Sequence, residues 1–194
     1  FSITAIPIVH LNVGSIDFDS GTIDIDIVNQ ISIGGFQFSM TDNPNGIIIN
    51  GTDNGIAADY GFSTSTNTNG VVIGFSFNGV EIPQGNHTLT QMNFEIINPG
   101  LMTSLCLDEV VISSLSGGAL GVNVGPCIDI ELPLAIGDIN FDTNLDVLDI
   151  VLLVDGILFA ENLNSNQTLA ADMNSDGILN VIDVVQLVNI VLNP

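Results

Sequence analysis

The sequence predicts a mainly β protein with a small helical module at its C-terminal end. Residues 1–132 contain several stretches in which apolar and polar side chains alternate, separated by turn signals such as DNPNG, TNTNG and NPG. Such alternation is typical of strands with one face in a core, and many short strands at this spacing favour a β-sandwich of the jelly-roll or immunoglobulin type. Residues 138–194 instead hold two polar loops, each followed by an apolar run of helix length. We therefore predict a sandwich at 1–132, a short linker at 133–137 and a paired loop–helix module at 138–194.

The predicted strands are defined by the positions of their apolar residues. In TIDIDIV (22–28), isoleucines alternate with Asp24 and Asp26, which we interpret as a solvated outer face rather than an acid pair. The other alternating stretches are GGFQFSM (34–40), VVIGFSF (71–77), QMNFEI (91–96) and CIDIEL (127–132). The residues that share one face in VVIGFSF are Val71, Ile73, Phe75 and Phe77. One face of each strand is expected in the core.

The N-terminal stretch FSITAIPIVHLNV (1–13) is apolar and fits a first strand of the same sandwich. The alternative is that it pairs with the sheet edge of a neighbouring molecule. The chain starts directly on this alternating stretch, so we interpret the sequence as the mature, processed form of an exported protein.

The C-terminal region is an internal duplication. The segment DINFDTNLDVLDIVLLVDGIL (138–158) aligns with DMNSDGILNVIDVVQLVNIVL (172–192), an offset of 34 residues (172 minus 138). In each copy, oxygen-bearing side chains recur at alternate positions of a twelve-residue loop, and an apolar run follows. A duplicated unit of this kind indicates two supersecondary elements that stack on each other.

The two loops have the donor pattern of calcium sites, because calcium takes six to eight oxygen ligands. The oxygen-bearing positions of the first loop are Asp138, Asn140, Asp142, Asn144, Asp146 and Asp149. Those of the second loop are Asp172, Asn174, Asp176, Asn180 and Asp183, together with the backbone carbonyl of Ile178. Converging carboxylates repel one another without a cation, so the metal is expected to stabilise the folded loop. We predict two calcium ions, the alternative being acidic surface turns.

The loops differ at position 6, where a sharp turn favours glycine. The second loop has Gly177 there, but the first has Thr143. A left-handed backbone at a threonine costs about 1–2 kcal/mol. The additional carboxylate of Asp146 is expected to offset this cost.

The two helix-length runs are apolar on almost every side. Residues 147–159 include only Asp149, Asp155 and Gly156 as exceptions, and residues 181–192 only three polar side chains. Two such helices in a module of about 60 residues cannot bury both faces against each other. An exposed apolar face of this kind usually marks a protein interface. The alternative is burial against the chain's own β domain.

The composition excludes several classes of function. The chain has no Lys or Arg and a formal net charge of −22. It therefore has nothing to neutralise phosphates, which argues against nucleic acid and anionic membranes as partners. No apolar run reaches the length of a membrane span. No G-x-S-x-G elbow or histidine-rich metal cluster occurs, and we predict that the chain is not an enzyme.

The cysteines and sequons fit an extracellular protein. Cys106 and Cys127 favour one disulfide in an exported chain, the alternative being two buried free thiols. Asn50, Asn86 and Asn166 lie in N-x-T sequons and are candidate glycosylation sites.

Residues 136–194 resemble a dockerin module, through two loops of the form D-x-N-x-D-x-x-x-[DN]-x-x-D, each followed by a helix. This resemblance implies a calcium-dependent module that binds cohesins, which are jelly-roll sandwiches. Residues 1–132 resemble a cohesin domain, best in TIDIDIVNQISIGGFQFSM (22–40) and GVVIGFSFNGVEIPQG (70–85). The chain thus resembles a receptor and a plug joined in one polypeptide.

The dockerin resemblance also implies which residues contact a cohesin. In the first repeat these are Val147, Leu148, Val154, Asp155 and Phe159. In the second repeat they are Val181, Ile182, Val188, Asn189 and Asn193. Many cellulosomal dockerins carry hydroxyl and basic side chains at these positions, whereas this chain has mostly aliphatic ones. The difference indicates a more apolar and more permanent contact.

Together these observations predict a secreted, calcium-stabilised structural protein. Its dockerin-like helices would dock on the β domain of a neighbouring copy, which builds an extracellular filament or surface array head to tail. The alternative is a cell-surface scaffold or adaptor that binds other dockerin- or cohesin-bearing proteins or glycans.

Overall fold

The computed structural model describes residues 8–193, which form a β-sandwich followed by a small helical unit. The strands are β1 Ile8–Asp17, β2 Thr22–Asn29, β3 Gly35–Asn43, β4 Ile47–Asp53, β5 Ser63–Thr66, β6 Val71–Phe75, β7 Gly85–Ile96, β8 Met102–Ser113, β9 Gly121–Val124 and β10 Ile128–Glu131. The helices are α1 Gly55–Asp59, α2 Val147–Leu158, α3 Ser165–Ala171 and α4 Val181–Leu192, with a 3-10 turn at Ala160–Asn162. The predicted class, mainly β with a small helical C-terminal module, is confirmed. The alternative roles of residues 1–7 lie outside the described residues.

The sandwich consists of two five-stranded sheets. The first sheet has the order β4-β7-β2-β1-β9 and the second β10-β8-β3-β6-β5. Neighbouring strands run antiparallel except β1 and β9, which are parallel. A parallel pair cannot be joined by a tight hairpin, and here most of the sandwich sequence separates the two strands.

The core lies between the sheets. On β2, the side chains of Ile23, Ile25 and Ile27 are fully buried, whereas Asp24 and Asp26 face outward as predicted. Asp26 accepts a hydrogen bond from Thr88 Oγ1 at 3.0 Å. The outer face of the first sheet is therefore polar and hydrogen-bonded. On the second sheet, the side chains of Phe38, Val72, Leu105 and Ile112 are likewise fully buried.

Strand β6 buries the face opposite to the one that its alternation suggests. Val72 is fully buried, whereas Ile73 and Phe75 are about two-fifths exposed and Phe77 lies beyond the strand end, 81% exposed. The inner position opposite Phe36 is Gly74, and a Cβ there would collide with the Phe36 ring. The Phe36 side chain occupies the space that a residue at 74 would need, so the apolar set of β6 is left on the outside.

The predicted cysteine pair is joined. Cys106 of β8 and Cys127, the residue before β10, form a disulfide with a Cα–Cα distance of 4.4 Å. Within the described residues β10 pairs with β8 alone, so the bond fixes the end of the sandwich sequence to its neighbour.

The second compact unit comprises residues 99–101 and 132–193. Its core is formed by Ile139, Leu153, Ala171 and Leu187, all fully buried. Leu153 of α2 and Leu187 of α4 are equivalent residues of the duplication, so the two repeats share one core. The sequence-based limits at 132 and 138 stay a prediction. Within residues 8–193, no helix is long and apolar enough to cross a bilayer.

Candidate metal loops and docking faces

The two predicted metal loops have the same backbone conformation. At loop position 4, Phe141 has a φ of 61° and Ser175 a φ of 56°. At position 6, Thr143 has a φ of 68° and Gly177 a φ of 80°. Thr143 therefore adopts the left-handed conformation that disfavours a β-branched residue. The first loop contains this strain, whereas the second avoids it with glycine.

The first carboxylate of each loop is held by backbone N–H groups from the turn. Asp138, which is almost fully buried, accepts hydrogen bonds from the N–H groups of Asp142 at 3.1 Å and Thr143 at 2.9 Å. In the second loop, Asp172 accepts from the N–H groups of Asp176 at 3.1 Å and Gly177 at 2.8 Å. The turn at positions 5 and 6 thus fixes the carboxylate at position 1.

The last carboxylate of each loop joins its two ends. Asp149 is fully buried and accepts from the N–H groups of Ile139 at 2.8 Å and Asp146 at 3.0 Å. Asp183, also fully buried, accepts from Met173 N–H at 3.1 Å and from Asn180 N–H at 2.8 Å. Position 12 therefore connects the second residue of the loop to the start of the following helix.

Position 9 has a role that the metal pattern does not reveal. Asp146 is the N-cap of α2 and accepts from Leu148 N–H at 2.7 Å, and Asn180 is the N-cap of α4 and accepts from Ile182 N–H at 2.8 Å. Each cap forms a reciprocal capping box with the Asp three residues later. An Asp or Asn followed by an acid at that spacing before an apolar run is a sequence signal of a helix start. That signal was present at both loops.

The middle positions complete each oxygen-rich loop. Asn140 and Asn174 at position 3 accept from the N–H of the residue two further on, at 2.9 Å and 3.0 Å. Asp142 accepts from the Asn144 N–H at 2.9 Å and Asp176 from the Ile178 N–H at 2.8 Å. The N–H of Asn144, followed by the Asn140 amide, lowers the pKa of Asp142 below its ordinary value, which favours the carboxylate form. The carbonyl of Ile178 accepts from the Asn180 amide at 3.0 Å.

The donor set fits calcium. The side chains of Asp138, Asp149 and Asp183 carry buried carboxylates in a chain without Lys or Arg. A buried charge is costly unless it is compensated, and in the described part of the chain these carboxylates accept hydrogen bonds from backbone N–H groups alone. Among residues 8–193, no three Asp, Glu, His or Cys side chains form a metal cluster by themselves. A cation would therefore also need the asparagine and backbone oxygens, which are ligands that calcium accepts. Bound calcium would supply positive charge to the loops.

The predicted contact residues lie on two exposed apolar helix faces. We define face 1 as the exposed side of the first repeat and face 2 as that of the second. The residues of face 1 are Val147, Leu148, Val151, Val154, Asp155, Leu158 and Phe159, all exposed except the half-buried Asp155. The residues of face 2 are Val181, Ile182, Val185, Val188, Asn189, Leu192 and Asn193, all exposed except the half-buried Val188. Apolar side chains exposed in this number usually mark an interaction surface, and docking through these residues stays a prediction.

The three sequons differ in their surroundings. Asn50 is exposed on β4, and its amide donates to Glu95 Oε1 at 2.8 Å. Asn86 is exposed on β7. Asn166 is half-buried in α3, and its amide donates to the Pro99 carbonyl at 2.6 Å. Glycosylation of these residues stays a prediction, and Asn166 is the least accessible of them.

Comparison with known proteins gives a family match for the C-terminal module and a fold likeness for the sandwich. Residues 136–192 match the family model of the dockerin type I domain. The chain is similar to a non-cellulosomal cohesin from the hyperthermophilic archaeon Archaeoglobus fulgidus, with 16% identity, a TM-score of 0.50, and coverage of 64% of this chain and 90% of that one. It is also similar to the third cohesin ScaC of Acetivibrio cellulolyticus, solved in complex with the ScaB dockerin, with 18% identity, a TM-score of 0.50, and coverage of 64% and 99%. No curated protein sequence matches the chain.

These matches define the class of each part. The likeness to cohesins shows the fold of the N-terminal sandwich, and the family match identifies the helical module. The chain consists of a cohesin-like β-sandwich followed by a dockerin-type module, as predicted. Dockerin type I domains are protein-docking modules that bind calcium, whereas the likeness to cohesins shows the fold of the sandwich alone.

Proposed function

We propose that this chain is a secreted structural protein that assembles head to tail, with the dockerin-type module of one copy docked on the sandwich of the next. The observation that carries the proposal is the pair of exposed apolar faces, face 1 and face 2, on a module whose chain also contains a cohesin-like sandwich. Two calcium ions, one in each loop, would hold the helices that present these faces. The absence of Lys and Arg makes calcium the main counter-charge in the chain.

The plug side of this contact is supported by the exposure of equivalent apolar side chains in the two repeats. Val151 and Val185, which are equivalent in the two repeats, are 59% and 55% exposed. Leu158 and Leu192 at the ends of α2 and α4 are 67% and 72% exposed. Branched aliphatic residues in rigid helices lose little freedom on docking, so their burial contributes favourably to association.

The receptor side is supported by an apolar patch on the outer face of the second sheet. Ile73 of β6 and Val111 of β8 both pair with Gln37 of β3, so their side chains lie in one row across the sheet. Phe75 follows in the next row, and its ring contacts the exposed Phe77 edge to face at 4.8 Å between ring centroids. We name Ile73, Phe75, Phe77 and Val111 the receptor patch. An apolar patch with aromatic side chains is typical of the centre of an interface.

The geometry of such a contact leads to open assembly. The plug faces and the receptor patch are different surfaces, so a docked pair of copies still has one undocked module and one free receptor patch. A heterologous contact of this kind builds a filament unless its rotation closes a ring.

The proposal is tested on the full chain with calcium and with a chelator. Light scattering and negative-stain microscopy should show elongated assemblies that grow with protein concentration in calcium and dissociate when it is removed. The double variant Val151→Asn/Val185→Asn should remain monomeric, whereas the control Ser20→Asn in an exposed turn should assemble normally. Monodisperse monomers of the unaltered chain at high calcium and high protein concentration would contradict the proposal.

The second candidate is a cell-surface adaptor that docks other dockerin- or cohesin-bearing proteins or binds glycans. It is favoured by the similarity to a cohesin solved with a dockerin from a different polypeptide, the ScaB dockerin. A competition experiment with a foreign dockerin separates the two candidates. Binding of the foreign dockerin to the full chain, whether it replaces self-assembly or leaves it intact, would favour the adaptor.

A further inference from the structure

The two plug faces differ at three equivalent positions, Leu148/Ile182, Asp155/Asn189 and Phe159/Asn193, and only the Asp155/Asn189 pair differs in charge. The duplication places Val147, Leu148 and Val151 of face 1 against Val181, Ile182 and Val185 of face 2, all exposed to a similar degree. At the centre of the second half of each helix, face 1 has Asp155 and face 2 has Asn189. The other carboxylates of α2 and α4, Asp149 and Asp183, are fully buried in the loops. Face 1 is therefore charged and face 2 is neutral.

Asp155 lies among the apolar side chains that docking would cover. Helical spacing places it one turn from both Val151 and Leu158, which are 59% and 67% exposed. Its Oδ2 atom accepts a hydrogen bond from the Asn162 amide at 2.8 Å, and Asp155 itself is half-buried. A contact that covers its apolar neighbours would remove much of the remaining water from this carboxylate.

No Lys or Arg on a second copy of the chain can compensate that loss of water with a strong ion pair. The sequence has no Lys or Arg, and its side-chain cations are limited to His10 and His87, both on the first sheet. The second sheet, which carries the receptor patch, instead presents exposed Asp108 and Glu109. Asp155 would therefore be desolvated over apolar side chains or placed near charges of its own sign, and both outcomes are unfavourable.

We infer that self-docking uses face 2, with Asn189 at its centre, and that Asp155 prevents face 1 from docking on another copy of this chain. The inference rests on the proposed head-to-tail assembly and adds the selection of one face. A neutral amide can leave water at the cost of its hydrogen bonds alone, whereas a carboxylate also loses its charge hydration. One residue pair thus converts a nearly symmetric module into a plug with a single self-docking side.

The inference is tested with three full-chain variants measured by sedimentation in calcium. Asn189→Asp adds the charge to face 2 and is expected to weaken self-association by at least about tenfold. Asp155→Asn removes the charge from face 1 and is expected to change self-association by less than about threefold, because face 2 already docks. Ser165→Asp adds the same charge at the exposed start of α3, outside both faces, and is expected to behave like the unaltered chain.

Hydrogen exchange on the assembled protein provides a second readout that does not depend on affinity alone. In the unaltered chain, assembly should slow the amide exchange of residues 181–193 and leave the exchange rates of residues 147–159 unchanged. In the exchanged variant Asp155→Asn/Asn189→Asp, protection should move to residues 147–159. Circular dichroism with calcium verifies that each variant folds.

The possible results separate the two proposals. If Asp155→Asn strengthens assembly more than tenfold while Asn189→Asp has no effect, or if neither variant differs from the unaltered chain, the selection of face 2 is wrong although assembly stands. If the unaltered chain does not associate at all, the proposed function fails and this inference fails with it.

Discussion

Asp149 and Asp183 show how a single residue type combines three roles in each loop. Each carboxylate is fully buried, accepts N–H groups from the start of the loop and from the helix N-cap, and belongs to the predicted calcium ligands. Because the chain contains no Lys or Arg, these carboxylates depend on N–H groups and metal for compensation. We therefore expect the carboxylates at position 12 of the loops to contribute strongly to the stability of the module.

Replacement of Asp183 by Ala tests how much the carboxylate at position 12 contributes to the stability of the module. The change leaves two partly buried N–H groups without their acceptor and removes a predicted ligand, so we expect the free energy of unfolding of the module to fall by about 3 kcal/mol in calcium. Calorimetry should show the module melting at a lower temperature with the sandwich transition unchanged. The control Asp129→Ala removes an exposed carboxylate of β10 and should alter neither transition strongly. A sandwich that melts before the module would contradict this assignment.

Thr143 offers a gain of stability at a single residue. Its φ of 68° is left-handed, and Thr143→Gly removes a steric cost of about 1 kcal/mol, partly offset by the greater freedom of glycine in the unfolded chain. We expect tighter calcium binding at the first loop by a few-fold, measured by calorimetric titration. The reciprocal change Gly177→Thr, at a φ of 80°, should weaken the second loop. If Gly177→Thr is tolerated as well as Thr143→Gly, backbone strain does not distinguish the loops.

Among the secondary-structure elements, the sequence predicted the two long helices α2 and α4. It did not predict which face of strand β6 is buried. Helices α2 and α4 begin at Val147 and Val181 as expected, because the same loop-and-helix pattern occurs in both copies of the duplication. The outward orientation of β6 depends on Phe36, a residue on another strand, and alternation within one strand carries no information about such packing. Helices α1 and α3, of five and seven residues, are too short for a periodic signal. The parallel pairing of β1 with β9 joins distant segments and was likewise not predictable.

The two faces of β6 can be tested separately. Gly74→Ala on the inner face forces the Phe36 ring to move, and we expect the sandwich to lose about 1–3 kcal/mol of unfolding free energy. Phe77→Ser changes a side chain that is 81% exposed, so denaturant unfolding should be nearly unaffected while assembly weakens. Equal effects of both variants on unfolding would show that Phe77 is part of the core rather than of the receptor patch.

The disulfide links strand β8 to the residue that precedes β10. It closes a loop with a sequence separation of 21 residues between β8 and β10, and a cross-link of this size stabilises a fold by about 3 kcal/mol. The double variant Cys106→Ser/Cys127→Ser should therefore melt at a lower temperature in its sandwich transition. The module transition serves as the internal reference and should not move. An unchanged sandwich transition would mean that strand pairing alone holds β10.

For the whole molecule, charge sets the conditions of assembly. Every copy has a formal charge of −22, and no ion pair with Lys or Arg can form between copies. Long-range repulsion between copies is screened by salt, while apolar contacts are not weakened by it. We expect self-association to strengthen as sodium chloride rises from about 20 to about 300 mM at constant free calcium, measured by sedimentation. Weaker association in higher salt would imply an attractive charge contact that the sequence does not provide.

The disulfide next to β10 has a mechanical consequence for a filament. Tension between copies would reach each sandwich through the chain segment that leaves β10, a strand of four residues that pairs with β8 alone among residues 8–193. Such a short strand is easily peeled from its sheet by a pulling force. Since Cys127 precedes β10 and is bonded to Cys106 in the middle of β8, peeling would stop at a covalent link after a few residues. The load would then pass into the long strand that also borders β3, so a stretched filament would yield a short length of chain before its subunits opened.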